Sequence, residues 1–322
     1  MAVMSVPVRI LITGISGFVG KYLARQCQRQ YPAASLYGLY RQRDDHTAEL
    51  SSIRPVVGDV LSQGDIRRIM ELVQPDLLFH LAAQSSVAAS WFDAEQTLRV
   101  NALGLYHFCE AVRLTQQMPR ILVVGSSEQY GLVPATENPI NEEQPFRPLN
   151  PYAVSKATQD LYAYQYFVAY HLPTLRVRPF NHFGPRQTPT FVIANLARQI
   201  ALIEAGRAEP VLLVGNLQAQ RDFLPVEDVV GAYLAVAAYG QPGDVYNIGS
   251  GVARSIGEVV QRLLRYATVP IAIQEDPTRL RPADQPISIA DTSRLFAHTG
   301  WKPVLDFDLA LQQTLDYWRA TI

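Results

Sequence analysis

The sequence predicts an α/β protein: one doubly wound parallel sheet with a smaller, mainly C-terminal substrate-binding domain. Three observations carry this prediction. A short β-branched strand near the start runs into a glycine turn and then a helix. Apolar strands then alternate with amphipathic helices at the length of ordinary crossovers. Polar clusters recur where strands end, which is where open parallel sheets bind ligands. At 322 residues the chain is long enough for two domains, or for one large domain with an elaboration.

Composition narrows the partner classes. Hydrophobic residues make up 48% and charged residues 18%, with 28 Lys+Arg against 29 Asp+Glu. That balance argues against a disordered chain and gives no support to a bulk polyanion binder such as a nucleic-acid-binding protein. No apolar run reaches the roughly eighteen residues needed to cross a bilayer, and no signal-peptide pattern opens the chain. Cys27 and Cys109 sit in helix-like segments and make neither a disulfide scaffold nor a zinc site. The expectation is a soluble, cytoplasmic enzyme with no metal, no membrane partner and no nucleic-acid partner.

The first strand, Val8 to Ile12, leads into TGISGFVGKYLARQCQRQ. Gly14 suits the tight turn, Gly17 a close approach to a pyrophosphate, and Gly20 close packing of helix on sheet. Main-chain N–H groups at the helix start would face phosphates, with Ser16, Phe18 and Val19 in the same cradle of a Rossmann-type sheet. The spacing is Gly-x-x-Gly-x-x-Gly, so a structural turn in an unrelated α/β protein is the other reading. The second strand is SLYGLY, residues Ser35 to Tyr40. It is followed by Arg41, Gln42 and Arg43 rather than by an acid, with Asp44 and Asp45 too late. Arginine suits a 2'-phosphate, so NADP is favoured and NAD remains possible; a solvated loop arginine is the alternative.

IRPVVGDV predicts a third strand ending in Asp59 and Val60, the acid placed for the adenine amino group and the valine for the ring. PDLLFHLAAQSSV gives the next strand, running through Leu81 into the small residues Ala82 and Ala83. A helix from about Ala94 to Arg113 presents Leu98, Ala102, Leu105 and Cys109 as one buried stripe. Asn101 on it either bridges main chain and active-site water or is a helix-surface amide. MPRILVVGSSEQYG supplies a strand whose end carries Ser126, Ser127 and Glu128.

NPYAVSKATQDLYAYQYFVAY then reads as a long helix with Tyr152 and Lys156 one turn apart on one face. A phenol is a poor base near neutral pH, with a reference pKa of about 10. A neighbouring ammonium and an oxidised nicotinamide would favour its phenolate. The lysine can also hold the nicotinamide ribose, and Ser126 can polarise the reacting oxygen. Tyr-x-x-x-Lys alone is a weak pattern in a chain with 16 tyrosines, and Tyr162, Tyr164 and Tyr166 read as packing or interface residues. The order glycine turn, serine, Tyr-x-x-x-Lys is the specific signal.

TGISGFVG, GDV, HLAAQSSV, GSSEQYG, PYAVSK, RPFNHFGP and QRDFLPVEDVV together resemble the extended short-chain dehydrogenase/reductase family, in its nucleotide-sugar branch, over essentially the whole chain. HLAAQSSVAASW, NHFGPRQTPTFV, VGNLQAQRDF, RPADQP and TGWKP resemble its GDP-mannose group. The resemblance implies a dinucleotide in the larger domain, a GDP-linked sugar in the smaller, and homodimers through the helices around 94–118 and 151–170. It implies NAD(P)H-dependent reduction of the C4 keto group of GDP-4-dehydro-6-deoxy-D-mannose to GDP-D-rhamnose. Here Tyr152 would donate the proton, Lys156 would lower the phenol's pKa, and Ser126 would position the carbonyl. The alternatives are 4,6-dehydration of GDP-mannose, in which Glu128 would remove the C5 proton, and 4-epimerisation. Ser127 stands where other sugar dehydratases carry an acid; the GDP-mannose dehydratases resemble this chain in having serine there.

The same resemblance places substrate contacts at Ser85, Ser126 and Asn181, and along FVIANLARQIALIEAG at Phe191, Val192 and Asn195, with Arg198 and Arg207 also in that helix. His182 either faces the nicotinamide or makes a structural hydrogen bond. Arg221 is a partner for the diphosphate, or else for Asp222 or Glu227. Asp228 complements a helix dipole. In QEDPTRLRPADQP, which holds Arg279 and Arg281, the family pattern puts the diphosphate arginine at Arg281 and a guanine or ribose contact at Asp284. DVYNIGSG reads as a further strand, DTSRLFAHTGWKP as a short helix with a glycine stop, and LDFDLALQQTLDYW as a last amphipathic helix. The domains are expected to be discontinuous: 1–177 with 222–250 for the cofactor, and 178–221 with 251–322 for the sugar nucleotide.

Overall fold

The computed structural model describes residue 6 and residues 8–42, 50–279 and 285–322; Arg43, Asp44, Asp45, Arg281 and Asp284 lie outside the described residues. The chain opens with β1 (Arg9–Thr13), α1 (Phe18–Gln30) and β2 (Ser35–Tyr40), with β1 one residue later than expected and β2 as expected. Next come β3 (Arg54–Val57), α2 (Gln63–Val73), β4 (Leu77–His80), α3 (Val87–Phe92), α4 (Ala94–Leu98) and α5 (Gly104–Thr115). After these come β5 (Arg120–Val124), α6 (Pro151–Tyr170), β6 (Thr174–Pro179), β7 (Asn181–Phe183) and α7 (Val192–Glu204). The remainder is β8 (Val211–Val214), β9 (Gln220–Pro225), α8 (Val226–Tyr239), β10 (Val245–Ile248), β11 (Ala253–Ser255), α9 (Ile256–Leu264), β12 (Ala272–Glu275), β13 (Ile287–Ser288), α10 (Ser293–Thr299) and α11 (Phe307–Thr321).

Seven strands form a wholly parallel sheet in the order β10-β6-β5-β4-β1-β2-β3. Both faces are covered, which is why its inner strands read as unbroken apolar runs. Ile10 and Ile12 of β1 pack with Leu23 of α1 and Val229 and Val236 of α8 on one side. Leu11 packs with Ile69 and Met70 of α2 and Leu105 and Phe108 of α5 on the other. The chain winds outward in opposite directions from β1 and β4, so their C-terminal ends frame the crevice where such sheets bind ligands.

A second core lies beyond β6. β9 pairs with β11 antiparallel and with β7 and β13 parallel, and β8 pairs with β12. Ile200 of α7, Val259 of α9, Leu311 of α11 and Leu212 of β8 pack there. The expected boundary at 221/222 falls inside β9, and Leu295 of α10 joins the core of the large sheet.

Three local expectations change. β3 stops at Val57: its last ladder bond runs from the Gly58 N–H to the Tyr40 carbonyl, and Asp59 then closes a turn by accepting from the Leu61 N–H at 2.9 Å. The single helix over 94–113 is instead α4, a π-helical turn at Arg99–Leu103 and α5. A π turn adds one residue and slips the helical phase. Upstream of it Thr97 therefore faces inward, and Leu98, expected in the buried stripe, is 41% exposed. Arg207 lies past the end of α7 and donates to the main-chain oxygen of Ile322. Among the described residues no helix is long and apolar enough to cross a membrane.

Candidate active site

A cavity of about 860 Å³ opens along the C-terminal ends of β1, β2, β4, β5 and β6. That is within the range of about 300–1,000 Å³ typical of ligand pockets. Its floor is the turn after β1. Gly14 has φ +68°, and a Cβ there would stand 2.8 Å from the Ala82 nitrogen; a Cβ on Gly20 would stand 2.3 Å from the Gly14 oxygen. Only glycine lets this turn close against both α1 and the loop after β4. Ser16, Gly17, Phe18 and Val19 line the same floor, at the N-terminus of a thirteen-residue helix whose first turn carries no acid. This cradle fits a dinucleotide pyrophosphate, since no side chain caps the helix start and the cavity opens directly over it.

Arg41, with Gln42, lines the cavity at the end of β2, as do Asp59 and Val60 beyond β3, and Leu81, Ala82, Ala83 and Ser85 beyond β4. Asn101 does not line it, nor is it a surface amide. It is fully buried in the π turn, accepts from the Gln84 N–H at 2.8 Å, and donates to the Gln84 carbonyl and to Ser155 Oγ at 2.8 Å. It thus clamps the loop after β4 to the helix that bears Tyr152.

Ser126, Glu128, Tyr152 and Lys156 all line the cavity. Ser126 caps the short turn that follows β5, accepting from the Glu128 N–H at 3.2 Å. Gln129 fixes this turn from below, accepting from the Ser126 N–H at 3.2 Å and donating to Asp160 at 2.9 Å. Burial alone would raise the Asp160 carboxyl, but Arg178, Arg176 and Gln129 hold it below the ordinary carboxylate range. Asn150 caps α6 through the Ala153 N–H and donates to Glu128 Oε2 at 3.2 Å, tying the carboxylate to the start of the Tyr152 helix.

Burial pushes the Tyr152 phenol up to about 12, its hydrogen bond with Ser126 pulls it down, and the Glu128 charge raises it. Burial lowers the Lys156 ammonium to about 7. Lys156 Nζ donates to the Val124 carbonyl at 2.7 Å and to Gln159 Oε1 at 2.8 Å. Ser126 is thus the group in hydrogen-bond contact with the Tyr152 phenol, and Lys156 lies one helical turn further along α6. His182 also lines the cavity, stacked on Phe18 at 6.2 Å, with Nδ1 3.1 Å from the Phe180 carbonyl.

A second cavity of about 290 Å³ adjoins the first and shares Asn181 with it. Phe191 lines the larger one; Val192, Asn195 and Arg221 line the smaller, together with Arg279. The Asn195 side chain accepts from Gln199 at 2.7 Å and from Arg279 at 3.0 Å, and donates to the Pro189 carbonyl. Its amide therefore orients Arg279, which Asp276 holds from the other side at 3.2 Å. Asp222 is buried and accepts from the Ser250, Gly251 and Ala290 N–H groups. Asp228 lies in the first turn of α8 as expected and also accepts from Val304 and Leu305.

Sequence reasoning did not select Tyr233, Gln187, Val87, Gln96 or Val100 for the large cavity, nor Asn216 for the small one. Tyr233 sits in the apolar run of α8 and carries no local mark that sets it apart from core.

The serine, tyrosine and lysine that are scattered in sequence converge in one cleft above the glycine turn, which places the chain in the extended short-chain dehydrogenase/reductase class. Within that class it belongs to the GDP-mannose 4,6 dehydratase family, whose model matches residues 11–314. It is 35% identical over 314 residues to GDP-6-deoxy-D-mannose reductase of Pseudomonas aeruginosa, covering 98% of each chain. It is 30% identical to GDP-mannose 4,6-dehydratase of Sinorhizobium fredii, covering 97% of each chain. The solved structure of RMD from Pseudomonas aeruginosa complexed with NADPH superposes with a TM-score of 0.86 at 32% identity, over 98% of this chain and 99% of that one.

Proposed function

We propose that the protein binds NADPH in the large cavity and a GDP-linked sugar across Asn181 into the small one, and reduces the C4 keto group of GDP-4-dehydro-6-deoxy-D-mannose to GDP-D-rhamnose. With the dinucleotide's pyrophosphate held by the cradle, its nicotinamide would supply hydride-transfer chemistry. Arg41 at the end of β2 is the residue suited to a 2'-phosphate, which favours NADP over NAD. The observation that favours reduction is the 35% identity, over 98% of each chain, to a GDP-6-deoxy-D-mannose reductase, and Tyr152 is the group suited to give the proton. A phenol held near 12 is fully protonated at neutral pH, and so is ready to donate to the far more basic alkoxide that forms at C4. Ser126, in hydrogen-bond contact with that phenol, positions the carbonyl, and Lys156 holds the ribose side of the cleft. Arg221 and Arg279 supply the cations for a diphosphate in the small cavity.

The test supplies GDP-mannose and, separately, its 4-keto-6-deoxy product, each with NADP(H) and with NAD(H). Consumption of the keto sugar with one equivalent of reduced cofactor is the expected result. Formation of the keto sugar from GDP-mannose without net cofactor use would overturn it.

A second reading, 4,6-dehydration, rests on Glu128, a half-buried carboxylate in the cavity held by Asn150. Glu128→Gln separates the two. It keeps the bond to Asn150 and is expected to spare most of a simple reduction while abolishing any elimination; equal loss of both would refute that role. We also infer a homodimer through α5 and α6, where Leu114, Leu161 and Val168 are exposed. The cofactor domain takes the seven-stranded sheet and the sugar-nucleotide domain the β8–β9 region, with β9 crossing between them.

A further inference from the structure

We propose that Gln159 is the positioning residue that holds the Lys156 side chain as a cation at the cleft. Lys156 Nζ is nearly enclosed, with the residue 3% exposed, and its described hydrogen bonds go to the Val124 carbonyl and to Gln159 Oε1. An ammonium only donates, so it fixes the Gln159 amide with the oxygen toward it. That orientation leaves Gln159 Nε2 buried and without a hydrogen-bond partner among the described residues. A buried donor left unmet is unfavourable, and a methionine of similar size would avoid it. What glutamine adds at this place is a carbonyl dipole aimed at the ammonium. Gln159 is fully buried and does not line the cavity, whereas Lys156 does. It therefore acts through the lysine and not on a ligand.

The surrounding charges leave this task to the two carbonyls. His80 on β4 is lowered to about 3 by burial and by the Lys156 charge, so it is neutral. Tyr152 on α6 and Tyr233 on α8 are phenols raised by burial, and therefore neutral. Asp160, next to Gln159 on α6, is taken by Arg178 and Arg176 from β6 and by Gln129. Glu128, after β5, accepts from Asn150. Burial already lowers the ammonium to about 7, so removing one of its two carbonyl partners lowers its titration further and leaves the lysine largely neutral at neutral pH.

The functional weight of this device rests on the reading of Lys156 given above, but its test needs neither substrate nor cofactor, so the two fail separately. The chain has three lysines, Lys21, Lys156 and Lys302. Protein labelled with ¹³C at lysine Cε therefore gives a three-signal spectrum, and Lys156→Met assigns the buried one. In Gln159→Met the Lys156 midpoint is expected to fall by about one to two pH units, the size expected for losing one charge-assisted hydrogen bond. In Gln159→Glu, which keeps the acceptor and adds a charge, it is expected to rise. Unchanged Lys21 and Lys302 signals report an intact fold. A Lys156 midpoint equal to wild type in the variants overturns the proposal. If Gln159→Met does not fold, Gln159→Leu is read in the same way, since it too removes the acceptor: a Lys156 midpoint that does not fall overturns the proposal.

Discussion

The role proposed for Tyr152, proton donor, follows from where it sits. Burial raises its phenol and Ser126 moderates that rise, so the hydroxyl keeps its proton until a stronger base forms beside it. Tyr152→Phe removes the proton but not the ring. It is expected to lower turnover by about 10²- to 10⁴-fold while NADPH affinity, read by fluorescence titration, stays near wild type. Lys156 gives a second prediction. Its folded-state pKa is about 7, against 10.5 for the ordinary side chain. Between those values the unfolded chain binds more protons, so stability from this group rises with pH across that window and is lost as pH falls to 7. Urea unfolding of Lys156→Met is expected to lack this slope and to exceed wild type in stability most at the acid end. At this scale the serine, tyrosine and lysine were legible, because a strand end and a four-residue helical spacing are written in the chain. The partners of Lys156 were not, since Val124 contributes only its carbonyl and Gln159 reads as any helix amide.

Among the elements, the π turn at Arg99–Leu103 was the least legible. Leu98, Ala102, Leu105 and Cys109 fit an ordinary helix, and nothing in their spacing marks an inserted residue. The turn carries Asn101 inward, where it satisfies Gln84 and Ser155. Asn101→Ala leaves these buried groups without partners and is expected to cost about 2–4 kcal/mol in urea denaturation. It is also expected to loosen the Ala82–Gln84 loop that borders the cleft; unaltered stability would show that water replaces the amide. By contrast α6 was legible from end to end, because Asn-Pro opens it and its inward residues keep helical spacing to Tyr166.

For the molecule as a whole, the large sheet could be read because both its faces are buried and its strands are continuous apolar runs. The small sheet could not: β7, β11 and β13 are two or three residues long and show no alternation. Their pairing with β9 is a tertiary outcome, and it brings Arg221 and Asn181 to cavities that meet. The central claim is that this joined cleft presents the sugar's C4 carbonyl to Tyr152 and the nicotinamide together. The most direct test incubates the protein with GDP-4-dehydro-6-deoxy-D-mannose and NADPH carrying deuterium at C4 of the nicotinamide, and locates the label by NMR. Deuterium at C4 of the product sugar is the predicted result; label retained in the cofactor, or found at any other sugar carbon, would contradict it.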